Sequence, residues 1–228
     1  MNNRFVSERY AVLPKFFKPI TVFSVIWLSI FGSFISADAT SVKRILVLGD
    51  SLAAGYGLLT DQSFPARLGL RLRAAGQDVK VLNGGVSGDT SAGGRARLDW
   101  ALADKPHFVI IELGANDGLR GLDPGAMRDN LEDIIVRLKA AGIGVLLTGM
   151  RAPPNIGPSY GRAFNSVFAD LAQKHDVLLY PFFLEGVVAM PGLNQRDGIH
   201  PNSRGVAVIV DHIMPFVVRL LEGKQKWE

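Results

Sequence analysis

Ile45-Leu46-Val47-Leu48-Gly49-Asp50-Ser51-Leu52-Ala53-Ala54-Gly55-Tyr56 opens as a run of branched apolar residues and breaks into Gly-Asp-Ser-Leu. Consecutive apolar residues without alternation read as a strand buried on both faces, the pattern of a parallel sheet. The break puts Ser51 just past the carboxyl end of that strand, where open α/β sheets bind their ligands. Small residues follow, with Gly55 and Gly57 close behind, so a substrate can approach Ser51 with no side chain in the way. Two roles fit a serine there. It is a nucleophile if the rest of the chain supplies a base, an orienting acid and an oxyanion hole. Otherwise it is a turn serine that caps the next helix.

Outward from this stretch the pattern alternates. Asp61 to Ala75 carries Phe64, Leu68 and Leu72 at helical spacing, and Gly76 is a natural stop. Val79 to Leu82 predicts a second strand and Asn83 to Thr90 a glycine-rich loop. A helix with Leu98, Trp100 and Leu102 then runs to about Asp104. Phe108 to Leu113 is the clearest strand and ends in Gly114-Ala115-Asn116-Asp117-Gly118. Asp123-Pro124 opens a helix with an apolar face of Met127, Leu131, Ile134, Ile135 and Leu138, stopped by Gly142. Val145 to Thr148 is a fourth strand, followed by a loop over 151–158 and a helix from about Ser159 to Lys174. Val177 to Tyr180 is a fifth strand. A short helix near Leu184 to Met190 and a loop over Asn194 to Pro201 come next. Asn202 or Ser203 caps the last helix, which reaches about Leu221 with a kink expected at Pro215.

Strands alternating with helices through short connections predict an α/β fold, a parallel sheet with helices on both faces. Right-handed crossovers then carry Ser51, the 83–90 loop, the 114–118 loop and the 151–158 loop to one edge. The chain of 228 residues suits a single such domain, and 48% hydrophobic with 20% charged residues is a globular composition. There is no cysteine, which removes disulfides, thiolate metal sites and cysteine nucleophiles together.

Residues 1–39 stand apart. Arg4, Arg9, Lys15 and Lys18 make a basic start, an apolar stretch runs from Ile20 to about Ile35, and Ala37-Asp38-Ala39 follows. This is the layout of a secretory signal, and the apolar stretch is shorter than the ~20 residues that comfortably span a bilayer. The expected division is a cleaved signal over 1–39 and a catalytic domain over 40–228, placed in the periplasm or secreted; an uncleaved anchor is the alternative. Without 1–39 the net charge of +4 falls to +2, and no dense Lys/Arg run remains, so nucleic acid is not an expected partner.

Among four histidines, His107 starts a strand at the wrong edge, and His175 and His212 fall in helical patterns. His200 lies in a loop after the last strand, three residues beyond Asp197. In Asp197-Gly198-Ile199-His200 the glycine permits a tight turn that brings the carboxylate back to the imidazole. The acid would fix the tautomer while the other ring nitrogen faces Ser51. The plainer reading is an Asp-Gly turn before a helix; Ser51 on the same edge favours the catalytic one. Acyl transfer also needs donors aimed at a developing oxyanion, each typically worth ~10²–10³ in turnover. Ser51 N–H, Gly88 N–H and the Asn116 side-chain amide are candidates on that edge. Gly49-x-Ser51-x-Ala53 lacks the second glycine of a nucleophile elbow, and the 84–90 loop has no P-loop lysine. Asp50, Asp117, Asp197 and His200 are too few for a carboxylate-rich two-metal site, so neither metal nor cofactor is expected.

These blocks resemble the SGNH (GDSL) hydrolases, a family named for Ser, Gly, Asn and His in four short motifs. Here they are Gly49-Asp50-Ser51-Leu52, the Gly88 of Ser87-Gly88-Asp89-Thr90, the Asn116 of Gly114-Ala115-Asn116-Asp117, and Asp197-Gly198-Ile199-His200-Pro201. Gly118-Leu119-Arg120-Gly121 and Pro181-Phe182-Phe183 are similar to the small periplasmic thioesterase I/lysophospholipase/arylesterase group. The resemblance implies a three-layer, flavodoxin-like sheet of five parallel strands. It also implies metal-free ester or thioester hydrolysis with Ser51 as nucleophile, His200 as base, Asp197 orienting it, and Ser51, Gly88 and Asn116 as oxyanion hole. Asp50 is expected to stabilise its loop. Leu58, Leu59, Leu119, Leu122, Pro153, Pro154 and Ile156 suggest an apolar rim for an acyl chain or aromatic leaving group. Aryl esters, acyl thioesters and lysophospholipids fit it, with no obligate protein partner. Carbohydrate deacetylation, a non-catalytic binding module on the same fold and metal-dependent phosphoester hydrolysis are the competing readings.

Overall fold

The apolar runs become five strands in the computed structural model, which describes residues 42–223. They are β1 (Lys43–Gly49), β2 (Val79–Gly85), β3 (Phe108–Glu112), β4 (Gly144–Thr148) and β5 (Leu178–Tyr180), all parallel, in the order β2-β1-β3-β4-β5. The chain moves one way from β1 to β2 and the other way from β3 onward. The order therefore reverses between β1 and β3, and a crevice opens at their carboxyl ends, the usual ligand site of such sheets. Ser51 follows β1 and Asn116 follows β3, so both predicted blocks flank that crevice. Ile45, Val47 and Leu48 of β1 and Val109, Ile110 and Ile111 of β3 are fully buried, as unbroken apolar strands covered on both faces should be.

Eight α-helices and four single-turn 3₁₀ helices complete the described fold; the α-helices are α1 (Ser51–Ala54), α2 (Phe64–Ala74), α3 (Ser91–Ala96), α4 (Leu98–Ala101), α5 (Ala115–Leu119), α6 (Pro124–Ala140), α7 (Pro158–His175) and α8 (Ser203–Leu221). α2 packs on α8, and α6 packs on both α3 and α7, as expected of two layers on opposite faces of the sheet. α6 shows how the sequence sets an element. The Asp123 carboxylate accepts from Gly125 N–H and Ala126 N–H, and Pro124 holds the first turn. Met127, Leu131, Ile134, Ile135 and Leu138 are buried, each stabilising by roughly 1.5–3 kcal/mol before chain entropy is counted.

Four local expectations change. Asn83-Gly84-Gly85 is not loop but the end of β2, in register with Val47-Leu48-Gly49. A Cβ on Gly85 would overlap the Ala54 backbone, so this glycine marks a close approach rather than a turn. The helix expected to run to Asp104 does reach it, but as α3, α4 and a 3₁₀ turn over Leu102–Asp104, broken at Arg97, with Leu98 buried and Trp100 73% exposed. Spacing of two along 98, 100 and 102 cannot place all three on one helical face. Leu184 to Ala189 forms successive turns instead of a helix, with Ala189 at φ 58°. Ala115 to Leu119, read as loop, is the short helix α5. α8 runs through Pro215 without interruption. The proposed signal over 1–39 lies outside the described residues.

Candidate active site

The turn that carries Ser51, the candidate nucleophile, is built by Asp50. It is the N-cap of α1, its Oδ1 accepting from Leu52 N–H at 2.9 Å, which places Ser51 in the first turn with its side chain facing the crevice. Asp50 is fully buried, and burial pushes its carboxyl up to about 6 against the opposing pull of Leu52 N–H and the Asn116 amide.

His200 reaches Ser51 from the far end of the chain. Asn194 and Pro201 form an isolated antiparallel bridge, and Gln195 N–H donates to the His200 carbonyl at 2.7 Å, closing the loop on itself. Within it, Asp197 Oδ1 accepts from Ile199 N–H at 2.9 Å and His200 N–H at 3.0 Å. Its Oδ2 lies 2.7 Å from His200 Nδ1, and His200 Nε2 lies 2.9 Å from Ser51 Oγ. A carboxylate only accepts, so the imidazole proton sits on Nδ1 and the Nε2 lone pair faces the serine hydroxyl. Backbone N–H of His200, its imidazole and Ile199 N–H together hold the Asp197 carboxyl down to about 2. The Tyr56 ring covers the imidazole, with centroids 4.6 Å apart.

The third loop carries the oxyanion candidates. Gly88 sits at φ +86°, in the left-handed region. Asn116 Nδ2 donates to the Asp89 carbonyl at 2.9 Å and to Asp50 Oδ2 at 3.1 Å. The asparagine therefore ties the Gly88 loop to the nucleophile turn. Both of its amide hydrogens are engaged, so an oxyanion would have to share one of them. Neither Ser51 N–H nor Gly88 N–H is taken by an acceptor among the described residues.

The crevice widens into a cavity of about 460 Å³ lined by Asp50, Ser51, Asn116 and His200 at one end. Leu119, Met150, Phe182, Leu184, Val188 and Ile199 supply much of its apolar wall. Of the expected rim, Leu119, Pro153 and Pro154 line it, whereas Leu58, Leu59, Leu122 and Ile156 do not. The turns after β5 and the His200 loop fold over the site and contribute Phe182, Leu184, Val188 and Ile199 instead. Gly88 and Asp197 are not among the residues lining the cavity; Gly88 precedes Asp89, whose carbonyl Asn116 holds, and Asp197 backs His200.

Three residues that hold this arrangement carry no motif. Arg97 spans two loops, with Nε 2.5 Å from Asp89 Oδ2 and a terminal nitrogen donating to the Gly49 carbonyl at 2.9 Å. Gln195 Nε2 donates to Tyr56 O at 2.7 Å and Pro201 O at 3.0 Å, fastening the His200 loop to the nucleophile segment. Glu112 is a fully buried carboxyl at the end of β3 whose Oε2 accepts from Asp50 N–H at 3.1 Å. Only Glu112 left a sequence signal, a single charge closing an otherwise apolar strand. The remaining histidines are elsewhere: His107 Nδ1 accepts from Arg44 N–H, His175 pairs with Glu132, and His212 stays in α8.

The sequence matches the GDSL-like Lipase/Acylhydrolase family over residues 47–208, and the chain belongs to that family. Esterase TesA of Pseudomonas aeruginosa is 44% identical over 79% of this chain and 90% of its own length. An arylesterase of Vibrio mimicus is 41% identical over 82% and 94%. Thioesterase 1/protease 1/lysophospholipase L1 of Escherichia coli is 41% identical over 76% and 82%. The crystal structure of TesA superposes with a TM-score of 0.75 at 45% identity, covering 78% of this chain and 99% of that one. The fold is thus that of the SGNH hydrolases, and the protein is an enzyme that hydrolyses small-molecule esters or thioesters.

Proposed function

We propose that hydrolysis runs through an acyl-enzyme on Ser51. The observation that carries this reading is the relay Ser51 Oγ–His200 Nε2 at 2.9 Å backed by His200 Nδ1–Asp197 Oδ2 at 2.7 Å. His200 takes the Ser51 proton as Oγ attacks the acyl carbonyl. The carbonyl oxygen becomes an oxyanion facing Ser51 N–H, Gly88 N–H and the Asn116 amide. As the tetrahedral intermediate collapses, the ester or thioester bond breaks and His200 returns its proton to the leaving alkoxide or thiolate. Water then attacks the acyl-enzyme with His200 again as base, releasing the acid and restoring Ser51. Asp197 stays ionised throughout and steadies the imidazolium. Ser51→Ala should fold normally and lose at least roughly 10³-fold in turnover. Ser51→Ala hydrolysing p-nitrophenyl esters at the wild-type rate would sink the assignment.

The apolar wall of the cavity supports an acyl chain as the group bound beside Ser51, with aryl esters, acyl thioesters and lysophospholipids as the matching substrates. A p-nitrophenyl series from acetyl to palmitoyl should peak at medium or long chains. A peak at acetyl, falling steeply with length, would overturn the acyl pocket in favour of short-chain or carbohydrate ester hydrolysis.

The signal layout of residues 1–39 supports export to the periplasm or beyond, with the mature chain beginning near Thr40. N-terminal sequencing of protein recovered outside the cytoplasm tests this; an intact Met1 start on cytoplasmic enzyme overturns it.

A further inference from the structure

Beneath the turn that carries Ser51 lie two buried carboxyls, Asp50 and Glu112, both with no solvent exposure. Glu112 Oε2 accepts the Asp50 backbone N–H. The Asp50 charge acts directly on the Glu112 carboxyl and raises it. Glu112 Oε1 is buried and receives no donor from any neighbour. An ionised Glu112 would leave that oxygen charged, dry and unpaired beside a second carboxylate, an arrangement too costly for a native interior. A protonated Glu112 removes that charge and turns the carboxyl into a donor beside the Asp50 carboxylate. The space is shaped for this acid: a Cβ on Gly49 would overlap Glu112 Oε2.

We propose that Glu112 is a positioning residue that carries the proton of a buried carboxyl pair and, through Asp50, holds Asn116 and Ser51 in register for the reaction. This rests on the roles given above to Ser51 and Asn116. One negative charge is left on Asp50, and it accepts Leu52 N–H on Oδ1 and the Asn116 amide on Oδ2, with the Glu112 hydroxyl as a donor beside it. Fully satisfied, that carboxylate has one preferred position, and with it the first turn of α1 and the Asn116 amide plane. Burial and the Asp50 charge both raise the Glu112 carboxyl well above the ordinary range, while the N–H groups of Asp50 and Ala53 pull it down. The other charged groups acting on the pair do so through Asp50. These are His200, which favours its ionised form, and Asp89, which opposes it and is itself paired with Arg97.

Glu112→Gln keeps a neutral donor and an acceptor at this place, whereas Glu112→Leu keeps the bulk and removes both. The test compares wild type, both variants and Ser51→Ala by kcat and KM on p-nitrophenyl butyrate from pH 6 to 10, with infrared spectra of the carboxyl region at neutral pH. Wild type is expected to show the band of a neutral buried carboxyl that Glu112→Gln lacks. Glu112→Gln should keep kcat within about twofold and Glu112→Leu should lose about tenfold or more in kcat with KM little changed. Absence of the neutral-carboxyl difference overturns the proposal, and this readout stands even if Glu112→Leu does not fold. Equal loss of kcat in Glu112→Gln and Glu112→Leu overturns it too, as does a fully active Glu112→Leu. An active Ser51→Ala would instead indict the nucleophile assignment on which the proposal rests.

Discussion

Two aspartates serve one site from opposite environments. Asp50, at the end of β1, has no exposure and a carboxyl raised to about 6 by burial. Asp197, in the His200 loop, has a side chain 38% exposed and a carboxyl held near 2 by the N–H groups of His200 and Ile199 and by the imidazole. Identical chemistry thus yields a buried carboxyl beside Glu112 and an open, ionised one against the His200 imidazole. The difference teaches that converging donors hold a carboxyl ionised where it is open to water, whereas full burial outweighs the donors on Asp50.

The strongest way to break the comparison is Asp197→Asn. The amide can no longer fix the Nδ1–H tautomer, and kcat should fall by roughly 10²- to 10⁴-fold with little change in KM. A variant within about threefold of wild type would mean that the loop backbone alone orients His200.

Asp50→Asn sharpens it through stability. The folded-state pKa of Asp50, about 6, is above its ordinary 3.8, so its contribution is full below about pH 4 and is lost as pH rises through 6. The loss is on the order of 3 kcal/mol for a group this buried. Asp197 runs oppositely: its depressed pKa adds stability above about pH 4 that is lost as pH falls towards 2. Urea unfolding of wild type and Asp50→Asn from pH 3 to 8 should give a difference curve that moves in the variant's favour as pH rises. A flat difference would show that burial does not perturb Asp50. The same variant sets an amide donor against the Asn116 amide and should lower kcat about tenfold or more at pH 8.

The smallest effect should come from Gln195→Ala, which unties the Asp197 loop from Tyr56. Two hydrogen bonds to backbone carbonyls are lost, for about 1–2 kcal/mol and a Tm lower by roughly 2–4 °C per kcal/mol, with a fewfold loss in kcat. Unchanged Tm and kcat would mean that the His200 loop holds its place without this tie.

Legibility follows the range of the interaction. Ser51, Gly88, Asn116, Asp197 and His200 were readable because each sits in a short block whose glycines and neighbours mark a loop at a strand end. His200 and Asp197 were readable as a pair because they lie three residues apart. Arg97 looked like any surface arginine, since its two partners, Asp89 and Gly49, are 8 and 48 residues away. Gln195 was unreadable for the same reason, its partner Tyr56 being 139 residues distant. The extent of β2 was misjudged because Gly84 and Gly85 mean loop by local propensity, and only the approach of β1 and α1 requires them in a strand.

The sequence by itself determined the parallel sheet, its long helices, and the strand-end edge that gathers the candidate residues Ser51, Asn116 and His200. Hydrophobic periodicity and turn chemistry act over a few residues, and short blocks carry both. Only the tertiary structure decided which apolar side chains wall the cavity beside Ser51. Crossing and folding-over bring Phe182, Leu184, Val188 and Ile199 to Ser51 in place of the residues nearest it in the chain. It alone also decided that Asp50 and Glu112, 62 residues apart, would meet out of water. A carboxyl's charge depends on the donors and the dielectric around it, and these exist only once the chain has packed.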